Sequence, residues 1–259
     1  MRPHAELISQ EAIVPLRARH RQEMNCQIVH DSIHRRDGWT LPYALHLGDV
    51  MAGFGSVAVG GPWKDKPTFF EFYVLPEYRA RAFDLFEAFL ATAKPRFLEV
   101  QTNEPLAHLM ALTWGGNLSS EKIVFHDQRT TAYSLQGAVL RRVTADDEIR
   151  ACLERRQGGG EWVLESDGKT AARGGILFHY NRPYGDIYME VAEPFQRRGL
   201  GSYLVQELKR ISYELGAVPC ARCNPINVAS RRTLAKAGFA PFAHILTGTL
   251  HPNDLQRHE

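Results

Sequence analysis

The chain has 259 residues, of which 44% are hydrophobic and 23% charged, and its formal net charge is +2. That length accommodates one large or two ordinary domains with ample core, and the composition excludes disorder. Lys and Arg are spread along the chain, so no nucleic-acid footprint is expected.

In chain order, a helical pattern covers Glu11–Glu23, and an irregular charged stretch follows over His30–Gly38. Strand-like runs come next at Tyr43–Leu47, Val50–Val59 and Thr68–Leu75, broken by Gly48-Asp49 and Gly60-Gly61-Pro62. Tyr78–Ala93 suits a helix with one buried face, through Phe83, Leu85, Phe86, Phe89 and Leu90. Phe97–Gln101 reads as a strand, Pro105–Trp114 as a helix, and Glu121–Phe125 and Thr130–Leu135 as strands.

The order then repeats. Leu140–Val143 reads as a strand, and Thr144-Ala-Asp-Asp147 as a helix start with acids in its first turn, opening a helix to about Arg155. Strands follow at Glu161–Glu165, Thr170–Tyr180 and Tyr184–Val191, the first pair joined by the hairpin turn Ser166–Lys169. Tyr73–Leu90 lies against Glu190–Leu208, and VQTNEPLAHLMALTWG against ARCNPINVASRRTLAKAG. The expected organisation is a tandem duplication, residues 1–137 and 138–259, of one α/β unit with a mixed sheet.

The stretch Gly185–Ser202 carries the chemistry. A strand ending near Pro194 feeds Gln196-Arg197-Arg198-Gly199-Leu200-Gly201-Ser202 and then an amphipathic helix through Leu204, Val205, Leu208 and Ile211. The first N–H groups of a helix lack intrahelical partners and the dipole favours negative charge there, which suits phosphate. Gly199 and Gly201 let the backbone approach a ligand that a Cβ would hold off. The first half has Ala82 and Asp84 at the corresponding places, losing that access and adding a negative charge.

About twenty residues on, Val218–Cys223 reads as a short strand, and the stretch Asn224–Phe239 follows with a helix-ending Gly238. The loop Gln196–Gly201 followed by Asn227-x-x-Ser230…Lys236-x-Gly238-Phe239 resembles the GCN5-related N-acetyltransferase (GNAT) family. The resemblance implies two tandem GNAT-like domains: a degenerate first copy without a cofactor loop, and a second that binds acetyl-CoA or another acyl-CoA. It implies transfer of acetyl to a primary amine by direct attack, with pantetheine along Val191 and Ala192. Gln196, Arg197, Arg198, Gly199, Leu200, Gly201 and Ser202 would hold the pyrophosphate, with Asn224 and Asn227 bordering the pantetheine. The first half is left with packing and the shaping of a substrate pocket.

For proton transfer, Asp186, Tyr188 and Glu190 alternate onto one strand face. Glu190 is the first choice of base or ammonium anchor and Asp186 the second, and the other reading is a solvated face or ion pairs with Arg197, Arg198 or Arg222. The family's frequent tyrosine acid falls on Leu234. Ser230 stands where one branch of the family carries a serine proposed as acid, with a packing hydroxyl as the alternative. His179, at a strand end, carries little weight.

Cys26, Cys152, Cys220 and Cys223 form no disulfide framework, and the single C-x-x-C reads as buried strand thiols, with no metal expected. MRPHAELISQ lacks the apolar core of a signal peptide and no run of about eighteen apolar residues appears. A cytoplasmic protein is therefore expected, without nucleic-acid or membrane partners, acting on a small-molecule or peptide amine, and a monomer by analogy. An acyl-CoA sensor without turnover and an interaction scaffold remain open as alternative readings.

Overall fold

The computed structural model describes residues 1–144 and 161–251. The helix expected over Thr144–Arg155 and the thiol of Cys152 lie outside the described residues, apart from Thr144 itself. Twelve strands are described, β1 Pro3–Leu7, β2 Thr40–Leu47, β3 Val50–Ala58, β4 Thr68–Val74, β5 Phe97–Gln101, β6 Gly115–Asp127, β7 Ala138–Arg142, β8 Glu161–Ser166, β9 Lys169–Leu177, β10 Tyr184–Val191, β11 Val218–Cys223 and β12 Phe239–Leu250. The described helices are α1 Gln10–Met24, α2 Ala82–Ala93, α3 Pro105–Trp114, α4 Leu200–Glu214 and α5 Val228–Lys236.

Local chemistry sets the helix limits. The Ser9 side chain accepts from the Ala12 N–H at the start of α1, and Asn25 ends it in the left-handed conformation. A 3₁₀ turn over Pro76–Arg81 precedes α2, so the regular helix begins at Ala82, later than the expected Tyr78. Gly238, just past α5, has φ +91°, and a Cβ there would stand 2.0 Å from the Arg129 carbonyl oxygen. Only glycine fits that C′ position.

Two compact units form. The first comprises Met1–Glu121 with the C-terminal residues from Ala243, and the second Lys122–Phe242. The units therefore do not coincide with the spans 1–137 and 138–259. Strand pairing is the reason. Ile245–Thr249 of β12 bond antiparallel to Phe97–Gln101 of β5, whereas Ile123–His126 of β6 bond antiparallel to Cys220–Cys223 of β11.

In the first unit the strand order is β1-β2-β3-β4-β5, then the C-terminal part of β12 and the N-terminal part of β6. In the second unit β6 is followed by β11-β10-β9-β8-β7. The pairs β4–β5 and β10–β11 are parallel, each bridged by a crossover helix, α2 and α4. Phe69, Phe72, Phe86, Phe89, Met110 and Trp114 anchor the first core. Ile187, Leu200, Leu204, Leu208, Leu234 and Phe239 anchor the second.

Three expectations change. Thr130–Leu135 is not a strand, because Tyr133 is held by α4 instead, its N–H bonding Gln206 Oε1 at 2.7 Å and its carbonyl accepting from Gln206 Nε2. β6 begins at Gly115 rather than Glu121, directly at the end of α3. β1 was unforeseen; its mostly exposed residues pair with only one neighbour, β2. Among the described residues no helix is long and apolar enough to cross a membrane.

Candidate active site

In the second unit β10 and β11 pair from Tyr184↔Val218 to Ile187↔Ala221 and no further. β10 nevertheless stays bonded to β9 through Val191, and β11 to β6 through Cys223. The two parallel strands thus part, leaving an opening between Tyr188–Val191 and Arg222–Cys223. The Ala192 N–H bonds the Ala171 carbonyl of the strand on the other side, at 3.0 Å. By antiparallel alternation the main-chain groups of Met189 and Val191 face the opening. The Gln196 side chain reaches the Val191 carbonyl at 3.3 Å.

The mouth of the opening is the start of α4. Gly199 is its N-cap with φ +84°, no side chain caps the helix, and Tyr203 N–H makes the bond back to the Gly199 carbonyl at 3.1 Å. The N–H groups of Leu200, Gly201 and Ser202 therefore precede the intrahelical ladder. The two glycines act for different reasons. Gly199 supplies a left-handed turn with space around it, while a Cβ on Gly201 would stand 3.3 Å from both Thr233 Cγ2 and Val191 Cγ2. Gly201 thus lets α4 pack closely as well as baring its backbone, a packing demand that the sequence did not disclose.

Positive charge gathers here. Arg197 takes φ +61° and is exposed. Arg198 lies over the Phe195 ring and 3.6 Å from Asp167. Lys236 Nζ would stand 3.9 Å from a Cβ built on Gly199, which brings the last turn of α5 to the start of α4. No local sequence pattern ties Lys236 to a loop 37 positions earlier.

The remaining predicted residues separate. Glu190 has a 67% exposed side chain and binds Arg173 of β9 twice, at 2.6 and 3.0 Å, a partner the sequence reading did not name. Asp186 is buried at 4% exposure, with Oδ2 3.0 Å from His179 Nε2 and 3.3 Å from Arg222 Nε. Burial first, and the Asp186 charge second, push the Tyr180 hydroxyl beside it well above its usual range. Leu234 is core, at 4% exposure.

Asn227 caps α5, its Oδ1 accepting from the Ser230 N–H at 2.9 Å, and Asn224 Oδ1 accepts from the Ile226 N–H at 3.0 Å. Local turn formation thus engages both side-chain oxygens. Ser230 stands beside Cys223 at the end of β11; burial raises that thiol, and the Ser230 hydrogen bond partly offsets it. A groove of about 490 Å³ elsewhere in this unit, lined by Asp127, Thr131, Gln206 and Tyr213, follows the C-terminal half of α4, away from Gly199.

The first unit has a comparable parting of parallel strands. β4 pairs with β5 only at Thr68↔Phe97 and Phe69↔Leu98, while β4 stays on β3 through Val74. Its own side chains crowd the face there. His20 Nδ1 lies 3.5 Å from Glu71 and Nε2 3.3 Å from Glu104, and His34 Nε2 lies 2.8 Å from Glu71, all buried. Burial alone would lower the His20 ring, but hydrogen bonds to Glu104 and Glu71 outweigh it and raise it to about 9. His20, Glu71 and Glu104 are the described group able to share a cation, and the protonated ring already stands between the two carboxylates.

Comparison with known proteins supports the reading of the second unit. Residues 125–239 match the model of the acetyltransferase (GNAT) family. No functionally curated protein matches the chain. Among solved structures, a GNAT-family acetyltransferase from Colwellia psychrerythraea aligns over 95% of this chain and 99% of its own, with TM-score 0.73 and 15% identity. A GCN5-related N-acetyltransferase from Sphaerobacter thermophilus aligns over 96% of each chain, with TM-score 0.62 and 15% identity. A tandem GNAT protein from the clavulanic acid biosynthesis pathway aligns over 97% of this chain and 99% of its own, with TM-score 0.59 and 12% identity. At such identity the likeness shows the fold. The opening and its glycine loop lie within the span 125–239 that matches the GNAT acetyltransferase family model.

Proposed function

We propose that the protein transfers an acetyl group from acetyl-CoA to the primary amine of a small molecule or peptide, by direct attack of the amine on the thioester. The observation that carries this reading is the parting of β10 from β11 after Ile187 and Ala221, with its mouth at the uncapped start of α4. The main-chain groups of Met189 and Val191 would bond the pantetheine as an added strand does, next to Ala192. The loop Gln196–Ser202, with Arg197, Arg198, Gly199, Leu200 and Gly201, would hold the pyrophosphate, and Lys236 adds charge there. Asn224 and Asn227 would border the pantetheine. Glu190 and Asp186 would anchor an alkylammonium acceptor, and Ser230, beside Cys223, would protonate the departing thiolate.

The two halves follow one succession of elements, three antiparallel strands, crossover helix, parallel strand, helix and long strand, over β2 to β6 and β8 to β12. This supports a tandem duplication, residues 1–137 and 138–259, with the first copy degenerate as a cofactor site.

Thermal unfolding with and without acetyl-CoA tests the reading. Ligand at about a hundred times Kd should stabilise the wild type by about 2.7 kcal/mol. In Gly201→Asp that gain should vanish, since the new side chain meets Thr233 and Val191 and puts a carboxylate at the helix start. A folded wild type that gains nothing sinks the reading, and a gain that survives in Gly201→Asp moves the cofactor away from this loop.

A further inference from the structure

We infer that His179 is the group that takes the amine's proton, and that Asp186 positions it; this rests on the N-acyltransferase reading above. His179 follows the end of β9, two residues past Leu177, and Leu177 is the register partner of Asp186 on β10. Asp186 itself pairs with Cys220, at the closed end of the opening, two residues before the strands part at Tyr188. Ile187 and Met189 pack toward α4 in the second core, so the alternate residues Asp186, Tyr188 and Glu190 face the other side of the sheet. His179 therefore stands at the inner end of the opening, on the face away from α4.

The ring's surroundings give it a direction. Nε2 lies 3.0 Å from the buried Asp186 Oδ2, so Nε2 carries the N–H and the lone pair belongs to Nδ1. Arg222 reaches the same oxygen through Nε at 3.3 Å, and its Nη2 lies 3.4 Å from His179 Nε2. The Tyr180 ring meets the imidazole edge-on, with centroids 4.6 Å apart. A carboxylate behind an imidazole holds the tautomer and stabilises the imidazolium when it forms. The His179 side chain remains 20% exposed and within reach of an acceptor. The other acid on this face, Glu190, is engaged at two points by Arg173.

In the step, the lone pair of a neutral amine attacks the thioester carbonyl carbon and its N–H proton passes to His179 Nδ1. The C–N bond forms, the C–S bond breaks, and CoA leaves as the thiolate. The charged and titratable groups that meet the ring are Asp186 of β10, Arg222 of β11 and Tyr180 beside it.

The test uses the full chain. Acetyl-CoA affinity is measured by calorimetry, and kcat for acetylation of spermidine, benzylamine and lysine amide is followed across the neutral pH range. His179→Gln should bind acetyl-CoA within about twofold of wild type, lose about 100-fold or more of kcat, and lose the rise of kcat with pH. Added imidazole should restore part of the rate in His179→Gly. Asp186→Asn should lower kcat less and displace the pH rise, as a positioning residue does. A His179→Gln enzyme that keeps both kcat and the pH rise overturns this role and leaves the N-acyltransferase reading intact. A wild type that binds no acetyl-CoA overturns both.

Discussion

The two parted strand pairs solve one geometric problem in opposite ways. In the second unit the crossover helix begins at a left-handed glycine with its first N–H groups uncapped by any side chain. In the first, α2 follows a 3₁₀ turn and carries Asp84 in its first turn, ion-paired to Arg81. A carboxylate there supplies the negative charge that a helix start favours, so no external anion is called for. The face beside the parted strands differs as well. Gln101 of β5 donates to the Gln27 carbonyl at 2.9 Å and accepts from the Val29 N–H, and α1 sends His20 against Glu71 and Glu104. The same backbone layout can thus hold a ligand or be filled by its own chain, and side chains decide which.

The largest effect expected from breaking the first unit's arrangement comes from Glu71→Ala. It leaves His20, His34 and Arg17 facing a buried gap where their carboxylate stood, and losing one partner of a buried charged set costs about 3–5 kcal/mol. Denaturant titration checks this, and a loss below about 1 kcal/mol would mean that water or rearrangement compensates the cations.

Next in size is a pH effect. The folded His20 value of about 9 lies above that of a free histidine, so its stabilisation is complete below about pH 6.5 and fades as pH rises through about 9. The shift corresponds to about 3 kcal/mol. Glu71 is held well below the usual carboxylate range, burial opposing but His34, His20 and Arg17 prevailing, so its contribution is present above about pH 4.5 and fades in acid. Stability should therefore fall on the alkaline side in wild type, and His20→Asn should flatten that limb. An unchanged alkaline limb in the variant would assign it to another group.

The smallest effect sharpens the comparison most. Ala82→Gly with Asp84→Gly puts two glycines in the first turn of α2 and removes its acid, yet calorimetry should still find one acetyl-CoA per chain. The helix start would be bared, while the parted strands stay filled by Gln101, His20, Glu71 and Glu104. A second bound equivalent would show that the loop alone decides binding.

The sequence by itself determined the succession of strands and helices over β2 to β5 and β8 to β12, the buried faces of α2 and α4, and the glycine loop at Gln196–Ser202. Those features rest on interactions within a few residues: the 2- and 3.6-residue periods, the left-handed turn at Gly199, the helix stop at Gly238. What the tertiary structure decided depends on strand register and distant pairing. Local pattern does not report that β12 completes the first unit beside β5, or that Thr130–Leu135 is held to Gln206 instead of a strand. Nor does it report that Glu190 falls opposite Arg173 while Asp186 falls under His179 and Arg222. Two carboxylates four residues apart on one strand face look alike in sequence. One pairs at the surface and the other is buried at the closed end of an opening, because strand register sets which basic side chains they meet and how much water reaches them.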